Sequence, residues 1–534
     1  MAALAAVGAV LVPGGALASS TFTHGVTAGE ITSSSAVVWG QATKDVNVRE
    51  EVATDAAFNH VVAHPTLRAK AKSDDTFQDQ VKQLNPGQAY HYRFCTATEC
   101  SDVGTFQTAP DPGQNQTIRF AYSGDETGAS APGQTAPFWG QMKAFQSMVA
   151  ENNNFNIDFG DTIYSDPEIP NFGPPALTVP EKWAMYRKKL AVANQRAVRE
   201  STGLYNHWDD HEFIDNFSPQ QNQFTANGQV ININGRTLYD SSVQAFRDYE
   251  PVTFTQREGI YRSFRWGRNL QIFFLDERSF RSAEATANGV CNNPATTGQR
   301  DLAPTAPAST RTLFSGLVPS LAQPVSQACL NTINSPNRHF LGTAQLHQFE
   351  QDVESSTATW KVVMNEDPIQ QYYVDPYDRW EGYAYERDQL LKDLTNAGVD
   401  HLVFLTTDTH AGLANVVRFR TLAGDSAPSN APPTAPSDTP YHDFVIGPVA
   451  TRPFWQEIDG TTGVSGAGPL VSNAFFKPSP PNGMGMACAQ GGENSYAEVT
   501  VTGSQLRIAY KDENGNTLLD SDGSTPCGPY ALTH

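Results

Sequence analysis

The sequence predicts a layered α/β domain, with strands buried between helices, preceded by a small all-β domain. The chain has 534 residues, enough for two or three domains. Residues 21 to about 110 contain short alternating segments bounded by turn residues, which is typical of β-strands. After residue 114, short apolar runs alternate with helical stretches, which is typical of layered strands and helices.

The first twenty residues predict an export signal. Residues 1–20 are apolar and contain Ala16-Leu17-Ala18, an A-x-A cleavage pattern, although a basic segment is missing before them. The alternative is an N-terminus without a targeting role. No later window resembles a transmembrane helix. We therefore expect a secreted, periplasmic or cell-surface protein.

The six cysteines predict disulfide bonds, because an even number is typical of exported chains. Proximity in the sequence favours three pairs, although other connectivities remain open. The favoured pairs are Cys95–Cys100, Cys291–Cys329 and Cys488–Cys527. None of these cysteines lies in the C-x-x-C spacing of a zinc site.

The first domain, residues 21–110, shows no grouping of chemically reactive side chains. Ala36–Gly40 and Ala89–Phe94 are predicted strands, and residues 84–87 form the turn before the second. This L-x-P-G turn followed by Y-x-Y-R resembles a fibronectin type III sandwich with its tyrosine corner. Residues 109–113 are a predicted linker. The domain is therefore interpreted as a structural or positioning module.

The second domain, residues 114–534, alternates predicted strands with predicted helices. The strands are Ile118–Tyr122, Phe155–Phe159, Leu204–Trp208, Leu270–Leu275, Trp360–Met364 and Leu402–Leu405, and the helices are Trp139–Glu151, Pro180–Arg199 and Thr343–Ser355. Residues 285–340 and 421–440 are predicted surface loops, and residues 495–511 predict a hairpin turning at Gly503.

Polar residues follow four of the predicted strands directly. They are Ser-Gly-Asp-Glu (123–126), Gly-Asp-Thr-Ile-Tyr (160–164), Asp-Asp-His-Glu (209–212) and Thr-Thr-Asp-Thr-His (406–410). Ligands bind beyond the carboxyl ends of strands in α/β sheets, so we expect these side chains to share one rim. Carboxylate, phenolate and imidazole groups together are a hard ligand set that suits metal cations.

Each motif alone has a simpler explanation. An aspartate after a strand is often a helix N-cap, and Asp-Asp-His-Glu could be a solvated turn. The four motifs together favour a metal site, because crowded acids repel one another unless a cation compensates them.

The charge balance agrees with this interpretation. Acidic residues outnumber basic ones 56 to 36, which gives a formal net charge of −20. Nucleic-acid binding needs clustered basic residues and is not expected as a main function. An anionic membrane surface would also repel the protein.

The segments GDTIY, WDDHEF and TTDTH, in this order, resemble the PhoD alkaline phosphatases among the calcineurin-like metallophosphoesterases. The segments YRSFRWGRNLQIFFLDERSFRS and WKVVMNEDPIQ support the resemblance, which covers nearly the whole chain after the leader. It implies a metallophosphoesterase β-sandwich flanked by helices, preceded by the family's N-terminal β-domain.

The resemblance also implies the cofactors, ferric iron with Ca²⁺; Mn, Mg or Zn are alternative divalent ions. In family members a Cys follows the first strand, whereas this sequence has Asp125 there, as in the iron site of purple acid phosphatases. The implied metal ligands are Asp125, Asp161, Tyr164, Asp209, Asp210, Asn216, Asp408 and His410.

The implied function is hydrolysis of phosphomonoesters and phosphodiesters by attack of a metal-bound hydroxide. His211 is either the general acid for the leaving oxygen or a brace or metal ligand of its loop. Arg262 and Arg265 could hold the substrate phosphate, or could pair with acids such as Asp276 or Glu277, which the sequence favours. Asn365 is a further candidate for substrate or metal contact.

Two alternatives to this function remain open. A phospholipase D-like phosphodiesterase has a similar metal core and would need an apolar groove near the cations. A non-catalytic, cation-dependent surface-binding protein belongs to a different class, and it would not explain why the ligands converge on one rim. In each case a monomer is expected.

Overall fold

The computed structural model describes residues 20–253, 259–296, 298–422 and 438–534. The predicted leader, apart from Ser20, and most of the predicted loop 421–440 lie outside the described residues. Within the described part, no helix is long and apolar enough to cross a membrane.

The N-terminal region folds into two antiparallel sheets. Its strands are β1 (Val26–Gly29), β2 (Ser35–Gln41), β3 (Asn47–Ala53), β4 (Val61–Ala63), β5 (Thr66–Arg68), β6 (Thr76–Lys82), β7 (Ala89–Cys95) and β8 (Gly104–Gln107). One sheet has the order β1-β2-β6, and the other has the order β4-β3-β7-β8 with β5 also paired to β3. The Tyr90 hydroxyl accepts a hydrogen bond from the Asn85 amide at 2.8 Å, so it ties the predicted turn to its strand.

The remaining strands form two larger sheets and one short hairpin. They are β9 (Ile118–Ser123), β10 (Phe155–Phe159), β11 (Gly203–His207), β12 (Gln223–Ala226), β13 (Gln229–Asn232), β14 (Arg262–Trp266), β15 (Leu270–Phe274), β16 (Trp360–Asn365), β17 (Leu402–Thr406), β18 (Gly412–Arg418), β19 (Asp438–Val445), β20 (Cys488–Gln490), β21 (Ser495–Val501), β22 (Gln505–Asp512) and β23 (Tyr530–Thr533). The sheet orders are β11-β10-β9-β21-β22-β23 and β14-β15-β16-β17-β19-β18-β20.

Helices cover the outer faces of these two sheets. They are α1 (Lys143–Ala150), α2 (Val179–Ala191), α3 (Ala193–Ser201), α4 (Gly235–Tyr249), α5 (Ala308–Phe314), α6 (Gln327–Ile333), α7 (Thr343–Ser355), α8 (Ala384–Asn396), α9 (Phe454–Thr462) and α10 (Ala467–Val471). Phe349 of α7 and Leu391 of α8 pack on Phe404, on the outer face of the seven-stranded sheet. Phe145 of α1 packs near Ala121 on the other sheet.

The main core lies between the two sheets. Phe120 and Val499 of the six-stranded sheet belong to the same buried cluster as Ile272, Val362 and Val403 of the seven-stranded sheet. Burying apolar area on both inner faces stabilises this arrangement of the sheets. The predicted layered α/β class is therefore confirmed, as a β-sandwich flanked by helices.

Several predicted elements differ in detail from the structure. The predicted helix Pro180–Arg199 is two helices, because Val192 between them is extended. The predicted helix Trp139–Glu151 begins only at Lys143. The predicted loop 285–340 contains α5 and α6. The predicted hairpin exists, but β21 also pairs with β9 and so lies inside the sheet.

All three predicted disulfides are present. Cys95–Cys100, Cys291–Cys329 and Cys488–Cys527 are bonded, and no described cysteine is free. The second bond closes the segment from Cys291 to Cys329, which contains α5 and ends in the first turn of α6.

The N-terminal sheets pack directly on the sandwich through buried polar contacts. The Trp39 indole is buried and donates to the Asp248 carbonyl at 2.8 Å. Arg262 forms an ion pair with Glu30 at 2.7 Å across the same boundary. Trp39 shares a core cluster with residues near the functional site, so the first domain supports the second.

Candidate metal centre

The predicted rim exists where parallel strands end. Strands β9, β10 and β11 are parallel neighbours in one sheet, and β17 runs parallel to β16 in the other. The loops that follow β9, β10 and β17 bring ligand atoms of Asp125, Asp161 and His410 within 4.8 Å of one another. Asp210 and His211, in the loop after β11, have ligand atoms within the same distance of Asp161, so four chain segments converge as the positions of the motifs predict.

The candidate ligands occupy unusual backbone conformations. Asp125, Asp161, Asn216, Asp408 and His410 all have left-handed φ values between 50° and 60°. Non-glycine residues rarely adopt this region, and such strain concentrates at functional sites. The backbone of these loops therefore adopts unfavourable conformations that place the candidate ligand side chains.

Two glycines allow the loops to approach closely. A Cβ on Gly124 would lie 2.6 Å from the Phe159 carbonyl oxygen, and a Cβ on Gly160 would lie 2.9 Å from the Cβ of Asp209. Both contacts are too short for a side chain, so glycine is required before Asp125 and Asp161.

One side of the cluster consists of Asp125, Asp161, Tyr164 and His410, which we call the tyrosine half. The Tyr164 hydroxyl lies 2.9 Å from His410 Nε2, and His410 Nε2 lies 4.0 Å from Asp125 Oδ1. The second Asp125 oxygen is buried and accepts no hydrogen bond from the described residues. A buried carboxylate oxygen without a partner is costly, and a hard cation would satisfy it. The residues present therefore fit a metal ion.

His410 is oriented by a carboxylate that the motifs do not contain. Its Nδ1 lies 2.6 Å from Glu457 Oε1, which leaves Nε2 directed toward Tyr164. A carboxylate on the second ring nitrogen is the usual support of a metal-binding histidine, because it fixes the tautomer and the ring orientation.

A second possible cation position adjoins the first. Ligand atoms of Asp161, Asp210 and His211 lie within 4.8 Å of one another, and so do those of Asp209, Asp210 and Asp408. Asp161 belongs to both positions and could bridge two ions. The side chain of Asn216 points toward Asp215 at 3.3 Å, while its backbone amide donates to Asp210.

The other side of the cluster surrounds Arg278, and we call Arg278 with Asp209, Asp367, Asp378 and Asp408 the arginine half. The fully buried guanidinium bonds Asp209 and lies 3.1 Å from Asp367, 2.8 Å from Asp378 and 3.7 Å from Asp408. Arg281 also bonds Asp378. Here the protein supplies its own cation to the carboxylates.

The direction of the pKa shift separates Asp378 from Asp125, Asp161 and Asp209. Burial raises the pKa of Asp125 to about 7, and it raises the pKa of Asp161 far above its ordinary value. At Asp378, burial is outweighed by Arg278 and Arg281, so the pKa lies well below its ordinary value. Burial raises the pKa of Asp209 to about 8, although Arg278 opposes the shift.

His211 lies between the loops at the cavity wall. Its Nδ1 is 2.7 Å from Asp166 Oδ1, its ring stacks on Tyr164 at 4.1 Å, and its amide donates to Asp161 Oδ1 at 3.0 Å. Burial lowers its pKa, but Asp166, Asp210 and Asp161 together raise it well above the ordinary value. A protonated imidazole fixed at Nδ1 could donate a proton from Nε2.

A cavity of about 310 Å³ opens onto the cluster. Asp161, Asp210, His211, Asp408 and His410 form its polar floor. One wall is apolar and comes largely from the segment closed by the second disulfide, which contributes Leu302, Phe314, Leu317, Val318 and Leu321. The guanidinium groups that line it are those of Arg300, Arg379 and Arg452.

The structure does not place the predicted substrate-binding arginines at this cavity. Arg262 pairs with Glu30 of the first domain, not with Asp276 or Glu277, and also donates to the Ile260 carbonyl. Arg265 donates to the Gly267 carbonyl at 2.6 Å, near the far end of its strand. Each guanidinium is used in packing, so the structure does not bring these two residues to the cluster.

Asn365 lies beneath the cluster, not at its surface. It is fully buried, accepts from the Trp380 indole at 3.0 Å and donates to the Asp367 carbonyl. It supports the arginine half and does not reach the cavity wall.

The sequence interpretation missed the residues that orient the ligands. Glu212 accepts hydrogen bonds from the amides of Thr162 at 2.6 Å and Asp209 at 2.7 Å. It thus connects the loops after β10 and β11, which carry candidate metal ligands and which we call, with the loops after β9 and β17, the metal loops. Arg278 lies three residues after the predicted strand Leu270–Leu275, and a polar segment after a strand is the signal that identified the other loops. Glu457 lies in α9 and carries no comparable signal.

Two facing sheets flanked by helices, with acids, a phenol and imidazoles at the strand ends, define a metallophosphoesterase-like protein. The solved structure titled "Structure of PhoD" aligns with a TM-score of 0.70 at 20% identity, covering 97% of this chain and 90% of that one. Purple acid phosphatase PPD1 from yellow lupin aligns with a TM-score of 0.52 at 12% identity, covering 93% of this chain and 72% of that one. These likenesses show the fold.

The sequence comparisons identify the family. The PhoD-like phosphatase family matches residues 128–480, and the N-terminal domain of PhoD-like phosphatases matches residues 10–110. The chain therefore belongs to the PhoD-like phosphatase family. It is 25% identical over 440 residues to alkaline phosphatase D of Bacillus subtilis (strain 168), a match that spans 74% of this chain and 66% of that relative.

Proposed function

We propose that this protein hydrolyses phosphate monoesters and diesters at the metal centre described above. The observation that carries the proposal is the convergence of buried carboxylates on a phenol and an imidazole, at the floor of a cavity. Alkaline phosphatase D of B. subtilis is similar in sequence, which supports the same reaction class.

The residues suggest how each cation would be bound. Ferric iron would be held by the tyrosine half, whose oxygen donors are hard. A divalent ion such as Ca²⁺ would be held by Asp161 with Asp209 or Asp210, Asn216 and Asp408. When bound, two such cations would supply positive charge for the phosphate and would lower the pKa of a bound water.

The protein's own residues then perform the remaining tasks. Asp161 lies within reach of both cation positions and would fix their separation. His211, held at Nδ1 by Asp166, would give its Nε2 proton to the leaving oxygen. Ser123 and Thr407 are not needed as nucleophiles, since their hydroxyls donate to the carbonyls of Ile157 at 3.2 Å and Phe159 at 2.9 Å.

Metal analysis with a visible spectrum tests the centre, and two nitrophenyl esters test the reaction. We expect iron with a divalent ion, a coloured protein from the Tyr164 phenolate, and turnover of both p-nitrophenyl phosphate and bis(p-nitrophenyl) phosphate. A colourless, iron-free and fully active enzyme would remove the iron assignment. If neither ester is turned over, the proposed reaction is wrong.

A phospholipase D-like phosphodiesterase is the second candidate, and the apolar cavity wall favours it. Leu317, Val318 and Leu321 line the same cavity as the metal ligands and could contact an apolar part of a diester. Release of choline from a phosphatidylcholine dispersion tests this candidate. Turnover of the nitrophenyl esters without choline release would exclude it.

The first domain and the location of the protein are further parts of the proposal. Residues 21–110 would form a fibronectin type III-like domain that supports the phosphatase domain at 114–534. Three disulfides favour an oxidising compartment and therefore export. Fractionation of expressing cells tests export, and light scattering of the purified protein tests the expected monomer.

A further inference from the structure

Helix α2 carries two lysines that are fully buried. Lys182 and Lys189 both have exposed fractions of 0%. They are seven residues apart, so they lie on the same helical face about two turns from each other. Buried lysines are rare and need specific partners, which makes two on one helix unusual. Each of them contacts chain segments that carry the candidate metal ligands.

Lys182 joins two of the metal loops. Its ammonium donates to Ser165 Oγ at 2.7 Å, in the residue after Tyr164. It also donates to the carbonyls of Glu212 at 2.9 Å and Phe213 at 3.0 Å, in the loop after β11. The three donor positions of one ammonium are thus used to fix the two loops relative to each other.

Lys189 contacts the loop after β9. Its ammonium lies 2.9 Å from Glu126, which directly follows the candidate ligand Asp125. It also lies 3.2 Å from Asp158 in β10 and 3.8 Å from Glu250. Removing this cation would leave buried carboxylates without a partner beside Asp125.

Helix α2 is itself well fixed. It begins with a capping box, in which Glu181 accepts from the Thr178 amide at 2.9 Å. Trp183 donates to Asp248 at 2.9 Å, and Arg187 bonds Asp74 of the first domain. A helix held in this way can act as a rigid support for groups attached to it.

We propose that Lys182 and Lys189 are positioning residues of the metal centre. Through these two ammonium groups, α2 sets the relative positions of the loops after β9, β10 and β11. Neither lysine touches substrate or metal. The inference rests on the proposed metal centre, and its consequence is that loss of either ammonium weakens metal binding without removing a ligand.

Metal binding to the full chain tests this role. Lys182→Met and Lys189→Met keep the side-chain size and remove the charge, and Lys188→Met is the matched control, because Lys188 is exposed on the same helix. Chelator-treated protein is titrated with Mn²⁺, and the free ion is followed by electron paramagnetic resonance. Thermal unfolding is recorded with and without Mn²⁺.

We expect the two buried variants to bind Mn²⁺ at least about tenfold more weakly than the wild type, the scale measured for residues that orient metal ligands. Their melting temperature should also rise less on addition of Mn²⁺, while Lys188→Met should match the wild type. A purely structural role would lower the metal-free melting temperature and leave the Mn²⁺ affinity of the folded protein unchanged, and that result would overturn the inference.

Two further outcomes are decisive. If the wild type binds no Mn²⁺, the proposed metal centre itself fails. If the methionine variants do not fold, Ser165→Ala replaces them, because it removes one acceptor of Lys182 and, with it, the hydrogen bond from Ser165 Oγ to the Glu212 carbonyl at 3.1 Å, so it loosens the same pair of loops without removing a charge. Weaker Mn²⁺ binding by folded Ser165→Ala supports the positioning role, and unchanged binding contradicts it.

Discussion

The tyrosine half and the arginine half of the cluster are both buried and acidic, yet they are neutralised differently. In the arginine half, Asp209, Asp367 and Asp378 contact the guanidinium of Arg278 within 3.1 Å. In the tyrosine half, Asp125 has one oxygen without a hydrogen-bond partner among the described residues. Buried carboxylates need a compensating charge. Arg278 therefore supplies part of the compensating charge in the arginine half, whereas the free oxygen of Asp125 can take its compensating charge from a cation outside the chain. Asp209 and Asp367 also keep buried oxygens without a hydrogen-bond partner among the described residues, so Arg278 does not satisfy the arginine half completely.

Replacing Asp161 should have the largest effect, because Asp161 belongs to both candidate cation positions. We expect Asp161→Asn to lower kcat/KM for p-nitrophenyl phosphate by about a thousandfold, the scale of several kcal/mol supplied by metal ions. Metal analysis should show reduced occupancy. Asp111→Asn, in the exposed linker, is the control and should retain activity. Full activity of Asp161→Asn would contradict the assignment of the tyrosine half.

Replacing Arg278 tests the other half. Arg278→Met leaves several carboxylates buried without their cation, so we expect the free energy of unfolding to fall by about 3–5 kcal/mol. Denaturant unfolding measures the change. Arg265→Met, at a half-buried arginine that bonds only nearby carbonyls, is the control and should cost much less. Equal stability of both variants would mean that Arg278 does not neutralise the cluster.

The comparison also shows what the sequence could predict. The strand ends and their polar motifs placed Asp125, Asp161, Tyr164 and His410 correctly, because parallel strands bring successive loops to one edge. The layered class followed from the alternation of buried strands and helices, and all three disulfides followed from proximity.

Other contacts could not be predicted, because they depend on tertiary packing. Glu457 reaches His410 from a helix 47 residues further along the chain. Arg262 has the residue type of a phosphate ligand, but the first domain places Glu30 beside it. The two lysines of α2 occur among other charged residues, and nothing in the local pattern distinguishes them from exposed Lys188.

The His211 ring stacks on Tyr164 of the tyrosine half. Replacing His211 tests whether it protonates the leaving oxygen. We expect His211→Gln to slow esters with poor leaving groups by about a hundredfold, because they need protonation of the leaving oxygen. Esters with good leaving groups, such as p-nitrophenyl phosphate, should be slowed much less. Rates for a series of aryl and alkyl phosphates measure this difference. Equal slowing across the series would assign His211 to bracing its loop or to binding metal.

The smallest effect is a pH dependence that should distinguish Asp125 of the tyrosine half from Asp378 of the arginine half. In the metal-free protein, burial raises the pKa of Asp125 from 3.8 to about 7. Its protonated form therefore contributes stability that is fully present below about pH 4 and is lost as the pH rises through 7. Metal binding needs the ionised form, so the increase in melting temperature on adding metal should be small at pH 5 and larger at pH 8.

Asp378 provides the contrast, because Arg278 and Arg281 outweigh its burial and keep its pKa well below the ordinary value. It stays ionised over this whole range and should add no pH dependence between 5 and 8. Thermal unfolding of Asp125→Asn and Asp378→Asn, each with and without Mn²⁺, separates the two residues. For Asp125→Asn, the increase in melting temperature on adding Mn²⁺ should depend less on pH between 5 and 8 than in the wild type. For Asp378→Asn, this increase should depend on pH as it does in the wild type. If Asp378→Asn removed the pH dependence of this increase instead, Asp378 would be the residue that exchanges a proton for metal.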